Sequence, residues 1–387
     1  MQSVQHLIAA GHSTKAILRS TSLKTTQGSV SGVYNRHSRA FHQHIQGRTS
    51  TSFCTIAQFP STTLNSQRGI SKRSAPTATI STQASFSTQT IIPQEPTIHS
   101  VYETKTGTWQ YVVVDPSTKK AVVIDAVLDY DPATQVISTE AADGLLSLIS
   151  EKGYKIEKIL ETHAHADHLT AASYLQKQIE QQQGYKPPIC AGKRITQVQD
   201  LFGAKYGVPA QEYRGVFDKL FDDEERFEIG NLTATATHLP GHTPDHLGYI
   251  VGENVFCGDS IFHTDIGTAR ADFPGGSATS LYESGRKLLR LPEHFKIWPG
   301  HDYPSEDRAP IASVSVKEHK EHNKHLANDT TQQEFVLMRE ERDSGLAAPK
   351  LLHPSLQFNI RAGQLPSPTP AGQRFLRLPL KLKPSEW

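Results

Sequence analysis

Short apolar runs bounded by turn residues alternate with stretches of helical spacing along most of this chain. Tyr111-Val112-Val113-Val114-Asp115 and Ala121-Val122-Val123-Ile124-Asp125 flank Pro116-Ser117-Thr118-Lys119-Lys120, which predicts a hairpin. Ser138 to Lys152 has the spacing of a helix, with Ser138 or Thr139 as N-cap and Gly153 just past the end. A strand follows at 156 to 161. A helix then runs from near Asp167 to about Gln182, stopped by Gly184, with His168 in its first turn. Strands near 226 to 238, 247 to 251 and 255 to 258 are separated by Gly-Asn and Gly-Glu-Asn turns. Ser277 caps a helix to about Leu291, and Phe295 to Trp298 forms another strand. From about Lys317 the pattern becomes helical, and Thr331 with Glu334 makes a capping box ahead of Phe335 to Met338. Within it His319, His322 and His325 recur among Lys, Glu and Asn, which predicts a solvated helix face. The segment from Pro366 onward is Pro-rich and predicts loose order. Strands alternating with helices make this an α/β chain.

Composition divides the chain in two. Residues 1 to 94 hold nine Lys or Arg, 30 Ser or Thr and no Asp or Glu. Such a segment cannot bury enough apolar surface to fold. Its Arg-rich, Ser-rich, acid-free character is that of a mitochondrial transit peptide followed by a linker, and predicts the matrix as destination. Gln5 to Arg19 could form its basic amphipathic helix, with Leu7, Ile8, Ile17 and Leu18 on one side. Removing those nine cations from the 40 of the chain leaves 31 against 39 acidic groups, a net of −8 for residues 95 to 387. That balance argues against a nucleic-acid partner. No apolar stretch reaches the roughly 18 residues of a membrane span. Cys190 and Cys257 lie in apolar strand-like runs and read as buried thiols, which suits a reducing compartment.

The chemistry sits at strand ends. Thr162-His163-Ala164-His165-Ala166-Asp167-His168 sets three imidazoles and a carboxylate directly after the apolar positions Ile156, Ile159 and Leu160. Imidazole and carboxylate together suit zinc, iron or manganese. Such a cluster costs stability unless something binds it. Three more junctions carry matching groups: His242 after the Pro240-Gly241 turn, Asp259 after Phe256-Cys257-Gly258, and His301 after Trp298-Pro299-Gly300.

These motifs, in this order, resemble the metallo-β-lactamase superfamily over roughly residues 97 to 365. The resemblance implies an αββα sandwich of two mixed sheets with outer helices and the site at one edge. It gives domains at 1–94 (transit peptide and linker), 95–365 (catalytic) and 366–387 (Pro-rich tail). It also implies two ways of using the ligands. In a dinuclear site, one metal takes His163, His165 and His242, the second takes Asp167, His168 and His301, and Asp259 bridges. In a mononuclear site, iron sits on His163, His242 and Asp259, and His165, Asp167, His168 and His301 become surrounding groups.

The segment Gly267-Thr268-Ala269-Arg270-Ala271-Asp272-Phe273 resembles the G-x-x-R-x-D-F motif of the persulfide dioxygenases, iron enzymes that oxidise glutathione persulfide. With Pro274-Gly275-Gly276 it is similar to their bacterial branch, the β-lactamase-like hydrolases. So are Phe335 to Asp343 and Pro354 to Gly363. The resemblance implies one Fe(2+) per chain, with glutathione persulfide and O2 as reactants. Arg270 would pair with a glutathione carboxylate or with Asp272, and Tyr303 would bring a hydroxyl to the persulfide beside Asp167 and His168. The alternative is a glyoxalase II-like hydroxyacylglutathione hydrolase with two zinc or iron ions, although that family's basic C-terminal helices have no counterpart. A non-enzymatic metal-binding protein in this fold would not need so complete a ligand set. The family often forms homodimers, but no interface pattern stands out in the sequence. His263, between Asp259 and Asp265, is left open between surface and site.

Overall fold

A computed structural model describes residues 95–383. The reading of residues 1 to 94 as a transit peptide falls outside them. The first half runs β1 (Thr97–Glu103), β2 (Thr108–Val114), β3 (Lys120–Ile124), β4 (Val127–Asp131), β5 (Val136–Ser138), α1 (Glu140–Lys152), β6 (Lys155–Leu160), β7 (Leu169–Thr170), α2 (Ala172–Gln183), β8 (Ile189–Gly192), α3 (Ile195–Tyr206) and β9 (Lys219–Phe221). The second runs β10 (Glu225–Ile229), β11 (Leu232–His238), β12 (Leu247–Val251), β13 (Asn254–Gly258), α4 (Ala278–Leu289), β14 (Lys296–Pro299), β15 (Val314–Ser315), α5 (Val316–His322), α6 (Gln332–Ser344) and α7 (Leu352–Asn359).

Two six-stranded sheets result, ordered β1-β2-β3-β6-β8-β9 and β10-β11-β12-β13-β14-β15. Each mixes antiparallel pairs with parallel ones, the latter at β3-β6-β8-β9 and at β13-β14. The predicted hairpin is β2-β3, in the register Tyr111↔Ile124. Side chains alternate across a strand, and β2 is buried on both faces. Tyr111 and Val113 join Phe227, Ala234, Tyr249 and Phe256 between the sheets. Val112 and Val114 instead meet Leu145, Ile149, Leu175 and Phe202 of the outer helices. On the far side Val255, Cys257 and Ile297 pack under Leu281, Leu288 and Phe335. The layers are therefore helix, sheet, sheet, helix, as expected. Cys190 and Cys257 are buried free thiols whose pKa burial pushes up to about 12.

Four features differ from the sequence reading. A third sheet, β5-β4-β7, was not foreseen, because β7 is only two residues long. That pairing delays the second helix to Ala172, so His168 lies in a loop and not in a first helical turn. The predicted solvated His face is wrong at two positions: His319 and His325 are buried and only His322 projects. Finally, residues 366–383 carry no helix or strand, yet they are tied down. Arg377 exchanges backbone hydrogen bonds with the Gln357 side chain, and its guanidinium donates to the carbonyls of Tyr206 and Gly207.

Helix α6 fastens the Gly267–Asp272 loop to the body. The guanidinium of Arg339, 1% exposed, donates to the carbonyls of Thr268 and Ala269 and to Asp343 Oδ1 at 2.7 Å. Asp343 Oδ2 accepts from the Ala271 N–H at 2.8 Å. Removing one partner of such a pair strands a buried charge. Asp343→Ala is therefore expected to cost about 3–5 kcal/mol, read as a lower denaturant midpoint with an unchanged slope.

Candidate metal centre

The ligand groups come from both sheets. His163, His165, Asp167 and His168 occupy the loop after β6. His242 follows β11, Asp259 follows β13 and His301 follows β14. His163, His242 and Asp259 each turn one ligand atom into a group spanning less than 4.8 Å, and His165, Asp167 and His168 form a second such group. Asp259 reaches both His242 and His301: its Oδ2 is 3.6 Å from His242 Nε2 and its Oδ1 is 3.6 Å from His301 Nε2, which is itself 3.1 Å from Asp167 Oδ2 of the second group.

Hydrogen bonds to the outer ring nitrogens dictate which nitrogen faces inward. His242 Nδ1 donates to the Arg270 carbonyl at 2.8 Å. His168 Nδ1 donates to the Leu169 carbonyl and His301 Nδ1 to the Gly107 carbonyl, both at 3.2 Å. The Thr162 hydroxyl gives its proton to Asp125 Oδ2, so it accepts from His163 Nδ1 at 3.0 Å. All four rings thus turn Nε2 inward, that of His301 toward Asp167 Oδ2. His165 is reversed, with Nε2 donating to Asp125 at 3.1 Å and near Glu161 at 3.4 Å, which leaves Nδ1 inward. Fixing one ring nitrogen in this way sets the tautomer that ligates.

The inward atoms fit a metal. His163 Nε2, His165 Nδ1, His168 Nε2, His301 Nε2, Asp167 Oδ2 and Asp259 Oδ1 are buried, and none makes a hydrogen bond among the described residues. Buried polar atoms are otherwise nearly always paired. Burial, then the neighbouring imidazoles, holds His163 well below 6.5, and burial with His165 takes His168 to about 3. Both stay neutral, as ligands must. Burial opposes charge on His165, but Asp125 and Glu161 outweigh it and raise its pKa. Burial likewise opposes charge on Asp167, yet His301 and His168 bring it down to about 2. Burial dominates at Asp259 and raises it.

Several positioning residues escaped the sequence reading. Asp125 receives the Thr162 N–H, the Thr162 hydroxyl and His165. Asp245 accepts from the Ala164 N–H, and His246 Nε2 accepts from the Asp259 N–H. Asn359 of α7 donates to the carbonyls of His165 and His168 and accepts from the Thr170 N–H, all at 2.8 Å. Gly300 packs so closely that a Cβ there would stand 2.5 Å from Asp259 Oδ1. Asp245, His246 and Asn359 sit inside recognisable motifs. Asp125 and Glu161 carry no signal beyond ending strands.

A cleft of about 560 Å³ opens onto His242, Asp259 and Asp167, within the usual range of ligand pockets. Tyr303 lines it, its ring parallel to that of His301 at 5.5 Å. Arg270 lines it too, but its fork is engaged: Nε and Nη2 reach the two oxygens of Asp272 at 2.5 Å, and Nη1 donates to the Ala347 carbonyl. Of the two roles expected for Arg270, the geometry shows the pairing with Asp272. His263 pairs with Asp265 at 2.7 Å and lies outside both ligand groups.

Comparison with known proteins agrees with this geometry. A Xylella fastidiosa beta-lactamase hydrolase-like protein is 40% identical over 298 residues, 76% of this chain and 67% of that one. A Dictyostelium discoideum protein called Glyoxylase B2 is 41% identical over 72% of this chain and 94% of its own length. The mitochondrial persulfide dioxygenase ETHE1 of Bos taurus is 26% identical over 69% of this chain and 88% of its own. The sequence pattern of the metallo-beta-lactamase superfamily matches residues 104–301. That span starts just after β1 and ends on His301, enclosing all the inward-facing ligands, and with it the chain belongs to the metallo-beta-lactamase superfamily.

Proposed function

We propose that the protein is a persulfide dioxygenase of the mitochondrial matrix that converts glutathione persulfide, O2 and water to glutathione and sulfite. The observation that carries this reading is the compact set of His163, His242 and Asp259 beside a largely apolar cleft. Two imidazoles and one carboxylate on one face are the donors of non-haem ferrous oxygenases. The named dioxygenase relative supports it, as does the Gly267–Phe273 motif, whose Thr268, Ala269 and Arg270 line the cleft.

A ferrous ion held by His163, His242 and Asp259 would supply the redox chemistry. The chain's own groups do the remainder. The Arg270 carbonyl fixes the His242 ring, and Thr162 fixes His163. Phe262, Ile266, Leu346 and Leu351 keep bulk water from the reacting sulfur. Tyr303 offers its hydroxyl from the same wall. In the balance, the outer sulfur of the persulfide gives four electrons to O2. Its S–S bond breaks and three S–O bonds form, two oxygens coming from O2 and the third from water. One proton stays with the glutathione thiol and two are released.

A second reading is a thiolester hydrolase using two metals. The intact group of His165, Asp167 and His168 favours it, as does the likeness to Glyoxylase B2. Two close metals can activate a water for attack on a carbonyl. Metal content and O2 uptake with glutathione persulfide separate the two.

His163→Ala is expected to lose iron and O2 uptake together, read by elemental analysis and an oxygen electrode. Stoichiometric zinc with full thiolester hydrolysis in the unaltered chain overturns the dioxygenase reading. Tyr303→Phe should lower kcat more than it raises KM while iron is retained, because only a hydroxyl beside the reacting sulfur is removed. Residues 1–94 fused to a fluorescent protein should carry it into mitochondria. Fluorescence spread through the cytosol would refute that destination.

A further inference from the structure

The cleft wall holds five cations, and their partners differ. Lys105 is paired with Asp129 at 2.7 Å, Arg270 with Asp272, and Arg339 with Asp343. Arg342 and Lys350 remain, and neither has a carboxylate within ion-pair distance among the described residues. The nearest acceptor candidate for Arg342 is His325 Nε2, 3.4 Å from Nη1. That contact is no acceptor. His325 Nδ1 already accepts the Thr268 N–H at 3.0 Å, so a neutral ring carries its proton on Nε2. Burial, then Arg339 and Arg342, keeps the ring neutral by lowering its pKa to about 3. Two N–H groups therefore face each other, and the Arg342 fork is left for something in the cleft.

The same stretch of chain supplies the apolar wall. Leu346, Pro349 and Leu351 line the cleft between and beside the two cations. Cation, apolar, cation is the pattern that fits an extended peptide with a carboxylate at each end. We infer that Arg342 and Lys350 are the specificity-determining residues, receiving the two carboxylates of an acidic peptide thiol whose sulfur points toward His163, His242 and Asp259. The inference rests on the glutathione reading of the site. It moves anion recognition from Arg270 to the last turn of α6 and the segment that follows it. Arg342 can take a carboxylate with two parallel N–H bonds, and Lys350 takes the other as a point charge.

The test uses the full iron-loaded chain with Arg342→Gln, Lys350→Gln and Arg342→Lys. Calorimetry with glutathione itself reads binding without any oxidation. Oxygen uptake with glutathione persulfide and with the persulfide of 2-mercaptoethanol, which lacks carboxylates, reads specificity. Each Gln variant should weaken glutathione binding and raise KM for its persulfide about tenfold or more, as for a lost charged hydrogen bond. Both should lose far less with the uncharged persulfide, and Arg342→Lys should recover part of the affinity. Unchanged glutathione binding in both Gln variants overturns the inference, as does an equal loss with both persulfides. If the unaltered chain consumes no O2 but binds glutathione through these residues, the dioxygenase reading falls and the carboxylate assignment stands. If it binds no glutathione at all, the assignment falls.

Discussion

Six buried ring-nitrogen and carboxylate-oxygen atoms without hydrogen-bond partners form the constraint around which the molecule is arranged. Each buried polar atom without a hydrogen bond costs about 1–3 kcal/mol. Six of them together approach the whole net stability of an ordinary domain, about 5–15 kcal/mol. The fold tolerates the cluster because every ring is held from behind. The carbonyls of Arg270, Leu169 and Gly107, the Thr162 hydroxyl and the Asp125 carboxylate each take one N–H. A metal then gains preoriented donors with no further ordering of the chain.

That arrangement also joins the two halves. The loop after β6 hangs from the first sheet, while His242, Asp259 and His301 hang from the second. The core between the sheets brings the strand ends together, and Leu247 N–H donates to the Thr162 carbonyl across the junction. Backbone groups of the first sheet likewise meet the last ligand loop, where Trp109 N–H donates to the Gly300 carbonyl. The centre is thus a seam, and its geometry depends on packing far from any ligand.

The strands and the ligands were legible because alternation and turn residues are local signals. Val112 and Val123 announce a hairpin whatever lies elsewhere, and His163 to His168 announces a metal by density alone. What was not legible depends on contacts distant in sequence. His325 looks solvated among Lys324, Glu321 and Asn323, yet the Thr268 N–H buries it. Leu169-Thr170 is too short to read as a strand until β4 lies beside it. The outer partners of His242, His168 and His301 are main-chain carbonyls, which leave no trace in residue identity. The motif leaves Arg270 open between a glutathione carboxylate and Asp272, and only the positions of Asp272 and Ala347 show its fork already filled.

Asn359 carries a consequence for the order of assembly. It clamps the His165 and His168 carbonyls from 194 and 191 positions away. Synthesis proceeds from the N-terminus, and a domain folds as a unit. The first ligand loop leaves the ribosome long before the helix that braces it. The His165 and His168 carbonyls therefore gain this brace only once α7 has been made and packed.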